Sequence, residues 1–208
     1  MRAPRDILTS NPVLIPIKMS ERKSIIYFSK PGEADADEVM KAALERAKEL
    51  NIRDIVVAST RGTTALKTLE IFKGFNVVVV PHVWGSKETG IQELPEEIAE
   101  KITSKGGRII YAAHAFSGVN RAIQAKFDTM YPAGIIAQTL RLFGQGMKVV
   151  VEISAMAADA GAIPVDHDVI AIAGSGKGAD TAIVIKPAYS HNLFESIIRE
   201  IIAKPREI

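Results

Sequence analysis

The sequence predicts an α/β fold, a three-layer α/β/α sandwich around a mostly parallel sheet whose last strand runs antiparallel. Three observations point there. Short β-branched runs alternate with longer amphipathic stretches, the pattern of repeated βα units. The run "NVVVVPH" (76–82) is apolar at successive positions, as a strand covered on both faces must be. The runs "DVIAIAG" (168–174) and "TAIVIKP" (181–187) lie too close together for a crossover, so as neighbours they pair antiparallel.

The elements follow in order. "SIIYFS" (24–29) is the first strand, and "ADADEVMKAALERAKEL" (34–50) is a helix with acidic residues in its first turn and Val39, Ala43, Leu44, Ala47 and Leu50 on one face. "DIVVAS" is the next strand, followed by a helix in "TTALKTLEIFKGF" that Gly74 ends. After "NVVVVPH", expected at the centre of the sheet, "LPEEIAEKITSKGG" is a helix with Pro95 near its first turn, where a missing N–H costs little. "RIIYAAH" (108–114) is a strand, and "SGVNRAIQAKF" and "PAGIIAQTLRLFG" are helices. "MKVVVEISAMAADAG" carries strand-forming valines, yet Val150, Ile153, Ala157 and the closing Gly161 fit a helix, which is the assignment preferred here. "HNLFESIIREIIAK" (191–204) is expected to be a last helix.

A chain of 208 residues can bury a full core as one domain. An irregular N-terminal arm is expected over 1–23 and a single domain over 24–208, because Asp6, Asn11, Pro12 and Pro16 break the early apolar residues. Cysteine is absent, which removes disulfides, thiolate nucleophiles and cysteine-ligated metal sites, and no metal is expected. The net charge of +2 is spread along the chain and aromatics are sparse, so neither a nucleic-acid surface nor a membrane contact is expected. A cytoplasmic location fits these features.

Two stretches could hold a phosphate. "GSGKGADTA" (174–182) resembles a dinucleotide fingerprint on paper, but a strand rather than a helix follows it, and Gly178 stands where a Walker loop needs Ser or Thr. Its glycines permit positive φ, so successive amides can form an anion-binding concavity beside Lys177; equally, they can simply make a hairpin. "ASTRGTTA" (58–65) lies between a strand and a helix. Ser59, Thr60, Thr63 and Thr64 bring hydroxyls, Arg61 a fork and Gly62 a turn, at a helix tip whose free N–H groups favour an anion. Helix capping needs only one of those hydroxyls.

The other loops following strands would surface on the same edge of a parallel sheet, bringing Lys30, His82, Trp84, His114 and Ser117 to a common mouth. Glu152 and Asp159, seven apart, would share a helix face as acid and base groups or as solvated charges. No complete catalytic motif can be read.

The order "DIVVASTRGTTALKTLEIF", "NVVVVPH" and "DVIAIAGSGKGADTAIVIKPA" resembles the C-terminal α/β domain of pyruvate kinases. "YFSKPG", "TLRLFGQGMKVVVEISAMAADAG", "GKGADTAIVIKPA" and "IREIIAKPR" resemble a group of stand-alone archaeal and bacterial proteins of that superfamily, over about 24–206. The chain lacks a catalytic barrel and lid, so pyruvate kinase activity is not implied. The resemblance implies a homo-oligomer with a pocket for a phosphorylated small molecule, FMN above all. By position, Ser59, Thr60, Arg61, Gly62, Thr63 and Thr64 would take the phosphate. Gly174, Ser175, Gly176, Lys177, Gly178, Ala179, Asp180 and Thr181 would line the neighbouring wall. The ring would lie between Lys30, Pro31 and Gly32, the His82/Trp84 loop, and the loop from His114 to Ser117 and Gly118. With a flavin the protein would be an oxidoreductase. The alternatives are a non-catalytic sensor of a sugar phosphate or other metabolite, and a hydrolase using Glu152 or Asp159 with His114.

Overall fold

The structure, a computed structural model, describes residues 20–32, 36–176 and 178–207. Of the expected N-terminal arm, 1–19 lie outside the described residues, and 20–23 form neither helix nor strand.

Seven strands form one sheet in the order β1-β7-β6-β5-β2-β3-β4. They are β1 (Ile26–Phe28), β2 (Asp54–Ala58), β3 (Asn76–Val80), β4 (Arg108–Ile109), β5 (Val169–Ala173), β6 (Thr181–Lys186) and β7 (Ile197–Pro205). β2 pairs in parallel with both β3 and β5, β3 with β4, and β1 with β7. β6 alone runs against its neighbours, antiparallel to both β5 and β7. The antiparallel β5–β6 pair follows from the short glycine-rich connection. β3 lies inside the sheet, next to the edge strand β4.

Alternation along the strands sends side chains to two cores. Ile55, Val57, Ile170, Ile172, Ala182 and Val184 face the layer of α1 (Ala36–Glu49), α2 (Thr63–Ile71) and α3 (Glu96–Ser104). Val56, Val78, Ala171, Ile183 and Ile185 face the opposite layer, built around α6 (Gln145–Asp159) with α5 (Pro132–Arg141) packed on it; α4 (Gly118–Phe127) precedes α5 and buries no residue. In α6 every residue from Gly146 to Ala158 except Val149 is buried, which is why it shows no polar stripe and reads ambiguously. Gly146 lets α6 come close to the sheet, since a Cβ there would lie 2.1 Å from Thr181 Oγ1. Among the described residues no helix is long and apolar enough to cross a membrane.

Two elements differ from expectation. β4 has only two residues, and after Ile110, whose amide still donates to the Val79 carbonyl at 3.0 Å, the chain leaves the sheet as an irregular loop. The expected last helix is a 3₁₀ turn, Ser190–Glu195, followed by β7. Its isoleucines at 197, 198, 201 and 202 mimic helical spacing because the pairing with β6 is irregular: the register shifts between Ala182 and Ile183 and again between Val184 and Ile185. Each shift resets the inward and outward alternation, so a bulged strand of β-branched residues acquires the pattern of a helix face.

Candidate functional site

The parallel strands β2, β3, β4 and β5 end at one edge of the sheet and β6 begins there, so the loops following them meet. Two adjoining cavities of about 760 Å³ and about 690 Å³ lie along this edge. Both are lined by Ser59, Thr60, His82, Gln145 and Val149, so together they form one cleft.

At one end lies the tip of α2. Gly62 has φ +86°, and a Cβ on it would lie 2.2 Å from Ile98 Cγ2, so backbone and packing both demand glycine. The buried Ser59 hydroxyl accepts the Ala65 amide at 3.1 Å, and Leu66 donates to the Gly62 carbonyl at 2.9 Å in the first bond of the helix. Gly62 is the N-cap residue of α2, and Ser59, three residues before it, supplies the side-chain acceptor that caps the helix at the Ala65 amide. The amides of Thr63 and Thr64, and the hydroxyls of Thr60, Thr63 and Thr64, have no partner among the described residues, and all three side chains line the cleft with Arg61.

Facing them is the glycine-rich loop. A Cβ on Gly174 would lie 2.2 Å from the Gly178 carbonyl oxygen, and Gly176 and Gly178 have φ of +113° and +67°. The fully buried Asp180 organises this loop: Oδ2 accepts the amides of Ser175 (2.9 Å) and Gly32 (3.3 Å), and Oδ1 accepts the Thr181 hydroxyl (2.7 Å). Part of the concavity is thus filled by the protein's own carboxylate. Ala179, Asp180 and Thr181 are buried scaffold, whereas Gly174, Ser175, Gly176 and Gly178 line the cleft. The Ser175 hydroxyl is buried and has no partner among the described residues. Lys177 lies outside the described residues.

Lys30, Pro31 and Gly32 are exposed and do not line the cleft. β1 is the edge strand farthest from β3 and β4, so its loop touches the outer side of the glycine-rich loop, through the Gly32 amide, and stays away from His82 and His114.

The inner end of the cleft is built on α6. Glu152, 3% exposed, accepts the Phe116 amide at 2.9 Å and the ammonium of Lys148, one turn earlier and equally buried. His114 Nδ1 stands 3.8 Å from Glu152 Oε2, and Nε2 accepts the Val83 amide at 3.4 Å. The rings of His114 and His82 lie 5.6 Å apart, and His82 Nδ1 bonds Glu93 Oε2 at 2.7 Å. Burial pushes His114 below its ordinary value, against the pull of Glu152. Burial likewise lowers Lys148, with Glu152 opposing. Ser117 and Gly118 line this end, and Trp84 sits at its mouth, 60% exposed. Asp159 is elsewhere: seven residues along α6, roughly 10 Å away, it is exposed and accepts the Ser190 amide at 2.9 Å.

Sequence reasoning missed Lys148, Glu93, Gln145, Arg121 and Arg141 as cleft residues. The one available signal was a lysine and a glutamate four apart in an otherwise apolar helix.

The model of the pyruvate kinase alpha/beta domain family matches residues 37–185, which include both phosphate-candidate loops. Among solved structures, pyruvate kinase of Cryptosporidium parvum in complex with ADP is similar at 16% identity with a TM-score of 0.37, over 73% of this chain and 23% of that one. The chain thus corresponds to under a quarter of that enzyme's length. On the family match over most of its length, the chain belongs to the pyruvate kinase alpha/beta domain family.

Proposed function

We propose that the cleft binds a phosphorylated small molecule, its phosphate at the tip of α2 and its body running along α6 towards His82 and His114. The observation that carries this reading is a surplus of donors at one corner. Among the described residues two helix amides and three threonine hydroxyls have no partner there, nor has the buried Ser175 hydroxyl across the cleft. Capping needs one hydroxyl, and Ser59 already supplies it. The α2 dipole and Arg61 add positive potential.

FMN is the first ligand to test. The larger cavity offers Val80, Val83, Trp84, Val149, Ile153 and Met156 as apolar surface beside the phosphate corner, and its size suits a bound cofactor. Bound FMN would supply hydride and single-electron chemistry, making the protein a flavin-dependent oxidoreductase. Val149 and Met156 would then contact the ring, and Gln145 could hydrogen-bond its polar edge. The hydroxyl-rich half of the cleft equally supports a sugar phosphate, in which case the protein is a metabolite sensor without catalysis.

Mass spectrometry of small molecules released from gently purified, denatured protein tests the proposal. A retained phosphorylated compound that rebinds in titration is expected. A retained ligand without a phosphate, or failure of FMN and sugar phosphates alike to bind, would overturn it.

A further inference from the structure

α4 turns its polar side to the protein and its apolar side to solvent. Val119, Ile123 and Phe127, spaced four apart, make one apolar stripe, while Asn120, Arg121 and Gln124 line a cavity of about 200 Å³ against α5. The stripe points away from that cavity: Val119 is 76% exposed and Phe127 67%, and among the described residues α4 buries none of its own. α5 continues the same surface. Ile136, Ala137 and Leu140 pack inward on the core, whereas Ile135 and Leu142, seven apart, point outward and stay exposed. Met130 and Tyr131, in the turn between the two helices, are exposed as well.

We propose that this face seats a second copy of the chain, the α4–α5 hairpins of two copies packing on one another about a two-fold axis. A helix of ten residues is marginal in water by itself, so α4 needs a cover whenever the chain is folded, and another copy is the partner that is always at hand. The area also fits. Six large apolar side chains, each about half exposed or more, present on the order of 100 Å² apiece, or roughly 600 Å², the upper end of what a monomer leaves in water. With a polar rim this approaches the about 800 Å² that each partner contributes to a stable interface. A face apolar at its centre can also meet itself, because a two-fold axis sets the same patch on both sides. The pairing is independent of where a phosphate binds. Val119 also lines the larger cavity, so the second copy borders the mouth of the cleft.

The test is analytical ultracentrifugation of the full chain over a concentration series. The wild-type protein is compared with Val119→Glu/Phe127→Glu, with Ile135→Glu/Leu142→Glu, and with Phe194→Glu, a control at an apolar residue that is 88% exposed in the 3₁₀ turn. The wild-type protein should pair with a Kd below about 10 µM. Each glutamate pair should raise that Kd at least about a hundredfold, and the control should leave it unchanged. If a glutamate pair does not fold, hydrogen exchange on the wild-type protein decides: the α4 amides should be protected in the paired protein and lose protection on dilution. A wild-type protein that is monomeric at about 100 µM would overturn the pairing and leave the face to a different partner. An assembly that both glutamate pairs leave intact, one that only Phe194→Glu breaks, or α4 protection that does not change with concentration would overturn it too.

Discussion

The Ser59 hydroxyl accepts the Ala65 amide at 3.1 Å across the turn that opens α2, and among the described residues the amides of Thr63 and Thr64 at the helix tip have no partner. Ser59→Ala should therefore destabilise the fold by about 1 kcal/mol, the cost of a lost cap. Urea unfolding measures it. No change would mean that Ser59 does not cap α2.

Thr63→Ala combined with Thr64→Ala should act in the opposite sense. Among the described residues neither hydroxyl of this pair has a hydrogen-bond partner, so stability should hold. Affinity for the phosphorylated ligand should fall by about 1 to 3 kcal/mol, the range for hydrogen bonds to charged groups. Titration with FMN or the retained compound decides it, and unchanged affinity would place the phosphate elsewhere.

Asp180 supports the glycine-rich loop from beneath. Asp180→Ala would strand the amides of Ser175 and Gly32 and the Thr181 hydroxyl, and should cost about 3 kcal/mol or more. Asp180→Asn keeps one acceptor oxygen and should cost less. Equal unfolding midpoints for the wild-type protein and the alanine variant would contradict this role.

Burial keeps His114 neutral to lower pH than the ordinary value of 6.5. Below 6.5 the unfolded chain takes up a proton that the folded protein resists. The stability contributed by the neutral imidazole is thus complete above about 6.5 and is lost as pH falls through the depressed folded value. His114→Gln should flatten the acid side of a melting temperature against pH curve. An acid side as steep as that of the wild-type protein would show that His114 does not contribute to it.

The local parts of this molecule were legible in sequence. Strand–turn–helix at 54–71 and strand–turn–strand at 169–186 each declare themselves within a few residues, because hydroxyls at a helix tip and glycines in a hairpin answer to backbone chemistry nearby. Strand order is not local. Nothing in "YFSKPG" shows that its strand lies at the edge farthest from β3 and β4, so Lys30 and Pro31 were expected in a cleft that they do not reach. β7 was hidden by its two register shifts, which gave its isoleucines helical spacing. The basic end of the cleft was hidden for a third reason. Arg121, Arg141 and Lys148 come from three different helices, and only helix packing brings them together.

The central claim is that the unpaired donors of the α2 tip hold a phosphate. Diffraction from crystals grown with the phosphorylated compound that the protein retains tests it most directly. Phosphate oxygens within about 3 Å of the Thr63 and Thr64 amides are the predicted result. A phosphate bound outside this corner, with those amides left to water, would contradict it.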